Sequence, residues 1–82
     1  MQPMSENELL LLIQTSLGLK DNAINLFSSM ENIEDWDSLG HLNILVGLDS
    51  RLDGRPAEIM ELATAKTVEE IAGILRKHEL LK

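Results

Sequence analysis

Between Leu19 and Asp37 runs a stretch of nineteen residues with no clear helical or strand periodicity, inside a chain of only 82. A loop of that length is uncommon in a compact domain, and it counts against a simple bundle joined by tight turns unless the loop is an anchored crossover. Ile24, Leu26, Phe27, Met30 and Ile33 supply apolar anchors that can pin it against a core. A chain this short makes one domain with one core, and it leaves little room for a separate catalytic cleft.

On either side of that stretch the pattern is helical, and no segment reads convincingly as a strand. Ser5-Glu6-Asn7-Glu8 is a capping box ahead of Leu9, Leu10, Leu12, Ile13 and Leu17, with Gly18 as a stop, which predicts a helix over 6–17. Asp37 is the N-cap of a second helix over 38–53, which meets Gly54. Pro56 suits the first turn of a short third helix over 57–63. Thr67-Val68-Glu69-Glu70 is a second capping box and opens a last helix over 68–77, where Arg76 and Lys77 suit the C-terminal dipole. The expected fold is all-α: a small four-helix bundle, three longer helices and one short third helix, in a single domain over 1–82.

The second helix carries more apolar surface than one core face requires. At 100° per residue Ile44, Leu45, Leu48 and Leu52 form one stripe. Leu39, Leu42 and Val46 form another, on the side that also carries Ser38, Asp49 and Asp53. Both stripes cannot enter one small core from a peripheral helix. The first is expected to be core, and the second a partner-facing patch rimmed by acids; the alternative is a helix buried on both sides by the long loop and the short third helix.

The formal net charge is −7, and it is concentrated. Between Glu31 and Glu61 eight acids face two bases, a balance of −6; the remainder of the chain stands at −1. Such a distribution disfavours nucleic acid as a partner and favours proteins with basic surfaces, whose approach it would steer. No stretch approaches the roughly 20 apolar residues a membrane span needs, and Met1 to Glu8 lack the marks of a secretory leader, so the expectation is a soluble, cytoplasmic protein. With no cysteine, the chain has no disulfide, no thiolate metal site and no thiol nucleophile, and any sulfur chemistry needs an imported group.

Ser38 sits where the acidic stretch meets the second helix, in Trp36-Asp37-Ser38-Leu39-Gly40. The first turn of a helix has unpaired N–H groups and a partial positive charge, so an anion carried there is stabilised, and a serine at that point reads as an attachment site. Asp37-Ser38-Leu39 at the head of the second of four helices, after a long first loop, resembles the attachment motif of acyl carrier proteins. Trp36 and Gly40-His41-Leu42 resemble variants found in stand-alone bacterial members, and the resemblance covers nearly the whole chain.

The resemblance implies 4′-phosphopantetheine, donated by coenzyme A and joined to the Ser38 hydroxyl, with an acyl or aminoacyl group held on its thiol. It implies a non-catalytic carrier, with Asp37 as cap and as a charge read by a phosphopantetheinyl transferase. Leu39, Leu42 and Val46 fall on the family's apolar docking positions, and Asp49 and Asp53 supply acidic contacts. The implied partners are that transferase, an acyl- or aminoacyl-loading enzyme, and synthase or transferase enzymes with basic docking surfaces; no oligomer is indicated. Gly40, Asn43 and Ser50 stand where carriers of fatty acid synthesis usually have acids, a departure that points to a specialised fatty acid, lipid or polyketide pathway. An aminoacyl or peptidyl carrier is the alternative within the family, and an unmodified helical interaction domain the alternative outside it.

Other chemistries fit poorly. Asp49, Asp53 and Gly54 match positions of a calcium loop, but Arg51 and Met60 stand where oxygen ligands are required. His41 and His78 read as packed or solvent-facing side chains rather than bases. Trp36 is open to two readings, a docking residue or an anchor over the core. No phosphate-cradling loop, hydrolase triad or metal cluster is present in the sequence.

Overall fold

Ser5 opens the first helix as its sequence requires. Its hydroxyl accepts the Glu8 N–H at 3.1 Å, while the Glu8 carboxylate accepts the Ser5 N–H at 2.9 Å, so two otherwise unpaired donors are satisfied. This helix, α1 (Glu6–Ser16), ends at Leu17 and turns at Gly18, whose φ of +68° is left-handed and free of cost only for glycine. The structure, a computed structural model, describes residues 2–82; Met1, the first residue of the expected 1–82 domain, lies outside them.

The second helix, α2 (Ser38–Arg51), is capped by Asp37. Its C-terminus closes with the Gly54 N–H donating to the Asp49 carbonyl at 2.8 Å, and both Asp53 (φ +54°) and Gly54 (φ +75°) adopt the left-handed region. The helix therefore ends at Arg51, two residues before the expected end at 53. The last helix, α4 (Val68–Lys77), starts at Thr67, whose hydroxyl accepts the Glu70 N–H, and matches the expected range.

The segment between α2 and α4 departs from expectation. Instead of one helix over 57–63 there is a 3-10 turn at Arg55–Glu58, an extended Ile59, and a short α3 (Glu61–Thr64). The reason lies in which residues are buried: Pro56, Ile59, Leu62 and Ala65, every third position. A repeat of three stays on one side of a chain with three residues per turn, whereas in an α-helix it drifts by ~60° at each step. The backbone follows that period, with N–H groups of Ile59, Leu62 and Ala65 each donating to the carbonyl three residues before.

The long first loop is an anchored crossover. Ile24 and Trp36 are buried, and Leu26, Met30 and Ile33 pack partly buried against the same core. Backbone pairing fixes its middle: Val68 donates to the Ser28 carbonyl and Met30 to the Lys66 carbonyl, at 3.0 and 2.9 Å. Phe27 corrects the sequence reading, being 80 % exposed. It lies within a turn whose backbone is held by Asn25 and Ser28 side chains, with its N–H on Asn25 Oδ1, and that turn carries the ring outward.

Cross-links fix the helix directions. Arg51 pairs with Glu8 at 2.9 Å, while Gly47 lies against Leu12 and Ser16, and Gly40 against Leu17, so α2 runs antiparallel to α1. Arg76 pairs with Glu6 at 2.7 Å, and Met4 exchanges backbone hydrogen bonds with Leu80 and Lys82, so α4 also runs antiparallel to α1. Hence α2 and α4 are parallel, and both begin at the end of the molecule where Ser38 stands. The described residues form four α-helices and no strand, only two isolated bridges, and no helix among them is long and apolar enough to cross a membrane.

Candidate functional site

Asp37 determines how Ser38 is presented. Its Oδ1 accepts the Gly40 N–H and its carbonyl accepts the His41 N–H, each at 2.8 Å, which locks the first turn of α2. The N–H groups of Ser38 and Leu39, which no carbonyl of the helix can reach, stay at the exposed tip. Ser38 is itself exposed. An anion on its hydroxyl would meet these N–H groups and the positive end of the helix.

Gly40 is needed for this arrangement on steric grounds. A Cβ there would lie 2.5 Å from the Asp35 carbonyl oxygen and 2.7 Å from Leu17 Cδ2, so the loop backbone and α1 close directly on the first turn of α2. Gly40 stands where an acid was noted as missing, and close packing accounts for it. Asn43 and Ser50, the other two such positions, are exposed and carry no such constraint.

Trp36 and His41 brace the same turn from beneath. Trp36 is 1 % exposed, which settles it as a core anchor. Its Nε1–H donates to His41 Nδ1 at 3.0 Å, and His41 Nε2 lies 2.8 Å from the Leu62 carbonyl oxygen. Because the indole can only donate, Nδ1 must be the acceptor; the imidazole is then the neutral Nε2–H tautomer, donating to Leu62. The rings are near coplanar, 12° apart with centroids 6.1 Å from each other, so they meet edge to edge through this bond rather than face to face. Loop, α2 and α3 are thereby joined by one buried chain of hydrogen bonds. With both nitrogens engaged, His41 is no base for Ser38.

The two stripes of α2 separate as expected. Ile44, Leu48 and Leu52 are fully buried and Leu45 is half-buried, whereas Leu39, Leu42 and Val46 are 66 %, 54 % and 60 % exposed. The latter three form an apolar ridge leading away from Ser38. Acids flank it unevenly: Glu31, Glu34, Asp35 and Asp37 are all exposed on the loop before Ser38, while on the helix side only Asp49, half-buried, and the exposed Asp53 contribute. The negative field at this end thus arises mainly from the loop.

Sequence reasoning placed Ser38, Asp37, the ridge and Asp49, and the fold brings Ser38, Asp37, Leu39, Leu42, Val46 and Asp49 onto one helix and its N-cap; Asp53, expected on the same helix face, lies instead beyond the Leu52 C-cap in the left-handed turn, because the helix ends at Arg51. It missed the bracing role of His41. The signal was present, since Trp36 and His41 occupy the position before the N-cap and the fourth helical position, where a hydrophobic staple forms; here the staple is hydrogen-bonded. Among the described residues no group of three His, Cys, Asp or Glu is placed to hold a metal ion. Comparison with protein-family models, with curated proteins and with solved structures gave no match.

Proposed function

We propose that the chain is a carrier protein that holds its cargo on a 4′-phosphopantetheine arm joined to Ser38. The observation that carries this reading is the exposed Ser38 at the first position of α2, beside an apolar ridge of Leu39, Leu42 and Val46 that the fold leaves unburied. When bound, the arm supplies a thiol, the reactive sulfur that a chain without cysteine lacks, and an acyl group rides on it as a thioester. Asp37, Gly40 and the Trp36–His41 brace hold the turn that presents Ser38, and the free N–H groups of Ser38 and Leu39 favour a phosphodiester there.

The chain's other residues act on partners. The ridge offers apolar contact area, and the loop acids with Asp49 and Asp53 favour enzymes whose docking surfaces are basic. Those partners are a phosphopantetheinyl transferase, an acyl- or aminoacyl-loading enzyme, and the synthase or transferase enzymes of a specialised pathway, of the fatty acid, lipid or polyketide kind for an acyl cargo and of the nonribosomal-peptide kind for an aminoacyl one. The carrier works as a single chain in the cytoplasm and catalyses nothing itself. Delivery becomes local once it docks, because a tethered cargo is at high effective concentration.

Intact-mass measurement after incubation with coenzyme A and a broad-specificity phosphopantetheinyl transferase tests this. The expected result is a gain of one phosphopantetheinyl group on the parent and none on Ser38→Ala. No gain on the parent, or an equal gain on the variant, refutes it and leaves an unmodified interaction domain.

A further inference from the structure

A groove of about 470 Å³ runs between α2 and the 3-10 turn with α3, lined by Leu45, Pro56, Ile59, Met60 and Leu62, with Asp49 on its α2 wall. The groove is apolar apart from that aspartate and one threonine, and no basic residue lines it. Asp49 Oδ1 is buried and has no hydrogen-bond partner. A buried carboxylate oxygen without a donor is costly, and protein side chains do not offer one here: Lys77 lies 3.5 Å from Glu61 of α3, and Arg51 is engaged by Glu8 on the opposite side of α2.

The groove lies within reach of Ser38. Eleven residues separate Ser38 from Asp49 in a continuous helix, a rise of ~16 Å with only ~20° of rotation between them, and Leu45 falls in the same row. An arm leaving Ser38 along α2 therefore has the groove under its distal end, and an extended phosphopantetheine is of that order of length.

We infer that Asp49 selects a cationic cargo: the groove receives an aminoacyl group, whose ammonium donates to Asp49 Oδ1 while its carbon chain lies against Leu45, Ile59 and Leu62. This rests on the carrier reading and names its substrate class. Charge complementarity decides between cargoes, because a charge-assisted bond to a carboxylate is about twice as strong as a neutral one, and an alkyl chain in the same place leaves Oδ1 unsatisfied. Met60, 86 % exposed at the groove mouth, is free to fold over chains of different shape.

The test uses two isosteric cargoes, 4-aminobutyryl and pentanoyl, each joined by an amide in place of the thioester to a coenzyme A analogue and transferred to Ser38. Methyl resonances of Leu45, Ile59 and Leu62 report occupancy, and the cargo amine is titrated. The aminobutyryl cargo is expected to shift those methyls more than pentanoyl, with its amine titrating at least about half a unit above that of the free analogue. Asp49→Asn is expected to abolish both effects and Glu69→Gln, on exposed α4 surface, to keep them. Equal or larger shifts with pentanoyl, or retention of the amine effects in a folded Asp49→Asn, overturn the cargo assignment and leave the carrier standing. No mass gain at Ser38 overturns carrier and cargo together.

Discussion

Replacing His41 with phenylalanine keeps an aromatic ring in the core but removes both of its hydrogen bonds. The Trp36 Nε1–H loses its acceptor and the Leu62 carbonyl loses its donor, and both residues are 1 % exposed, so water does not take the place of the imidazole. Each buried polar group left unpaired costs about 1–3 kcal/mol, which gives about 2–6 kcal/mol for the variant. A domain of 82 residues has about 4–12 kcal/mol in total, so the loss is a large share of it. At 4–8 °C per kcal/mol for a domain of this size, Tm is expected to fall by at least about 8 °C. Urea unfolding followed by far-UV circular dichroism measures it, and Trp36, the only tryptophan, gives a fluorescence signal from within the brace. A double-mutant cycle with Trp36→Phe is expected to show coupling above about 0.5 kcal/mol. A His41→Phe variant within about 0.5 kcal/mol of the parent, or additive behaviour in the cycle, refutes the reasoning, because independent sites scatter by that much. Imidazole ¹⁵N shifts provide a separate check and are expected to show the Nε2–H tautomer.

The two stripes of α2 predict opposite outcomes. Leu48→Ala, fully buried, is expected to cost about 2–5 kcal/mol in urea unfolding, whereas Val46→Ala is expected to change stability by less than about 0.5 kcal/mol and to raise the KM of the phosphopantetheinyl transferase. Gly40→Ala is expected to lower stability and move the Asp35–Trp36 backbone, read as amide shifts through the loop, since a Cβ there meets a carbonyl oxygen at 2.5 Å. The Glu8 carboxyl is lowered from its ordinary 4.5 to about 2 by the Ser5 N–H first and by the Arg51 guanidinium second. Its folded pKa lies below its unfolded one, so its contribution is present above pH 4.5 and lost as pH falls toward about 2; Glu8→Gln is expected to flatten unfolding free energy against pH in that window.

Much of this arrangement was legible because local chemistry and tertiary context agree. The capping box at Ser5 and the caps at Asp37 and Thr67 mark three helix starts correctly, since a cap satisfies backbone donors wherever the helix is packed; at Thr67 the expected box is only half formed, because the Glu70 carboxylate accepts from the Thr67 hydroxyl rather than from its N–H. The division of α2 into Ile44–Leu48–Leu52 and Leu39–Leu42–Val46 was readable from the helical period alone. The third helix was misread because Pro56, Ile59, Leu62 and Ala65 repeat every three residues, a period that an α-helical template does not seek. Phe27 was misplaced because composition does not reveal which way a turn faces. The Gly40 contact and the Trp36–His41–Leu62 bonds join residues brought together by the crossover and by α3, the longer of them, Gly40 with Leu17 and His41 with Leu62, more than 20 positions apart in sequence, so only the fold displays their partners.

The central claim, that Ser38 carries an arm ending in a thiol, is tested most directly by counting thiols. The chain has no cysteine, so the unmodified protein titrates to zero with a thiol reagent, and any thiol acquired belongs to an added group. After incubation with coenzyme A and a phosphopantetheinyl transferase, and removal of free coenzyme, the account predicts one thiol per chain on the parent and none on Ser38→Ala. A parent that stays at zero, or a Ser38→Ala variant that also reaches one, contradicts it.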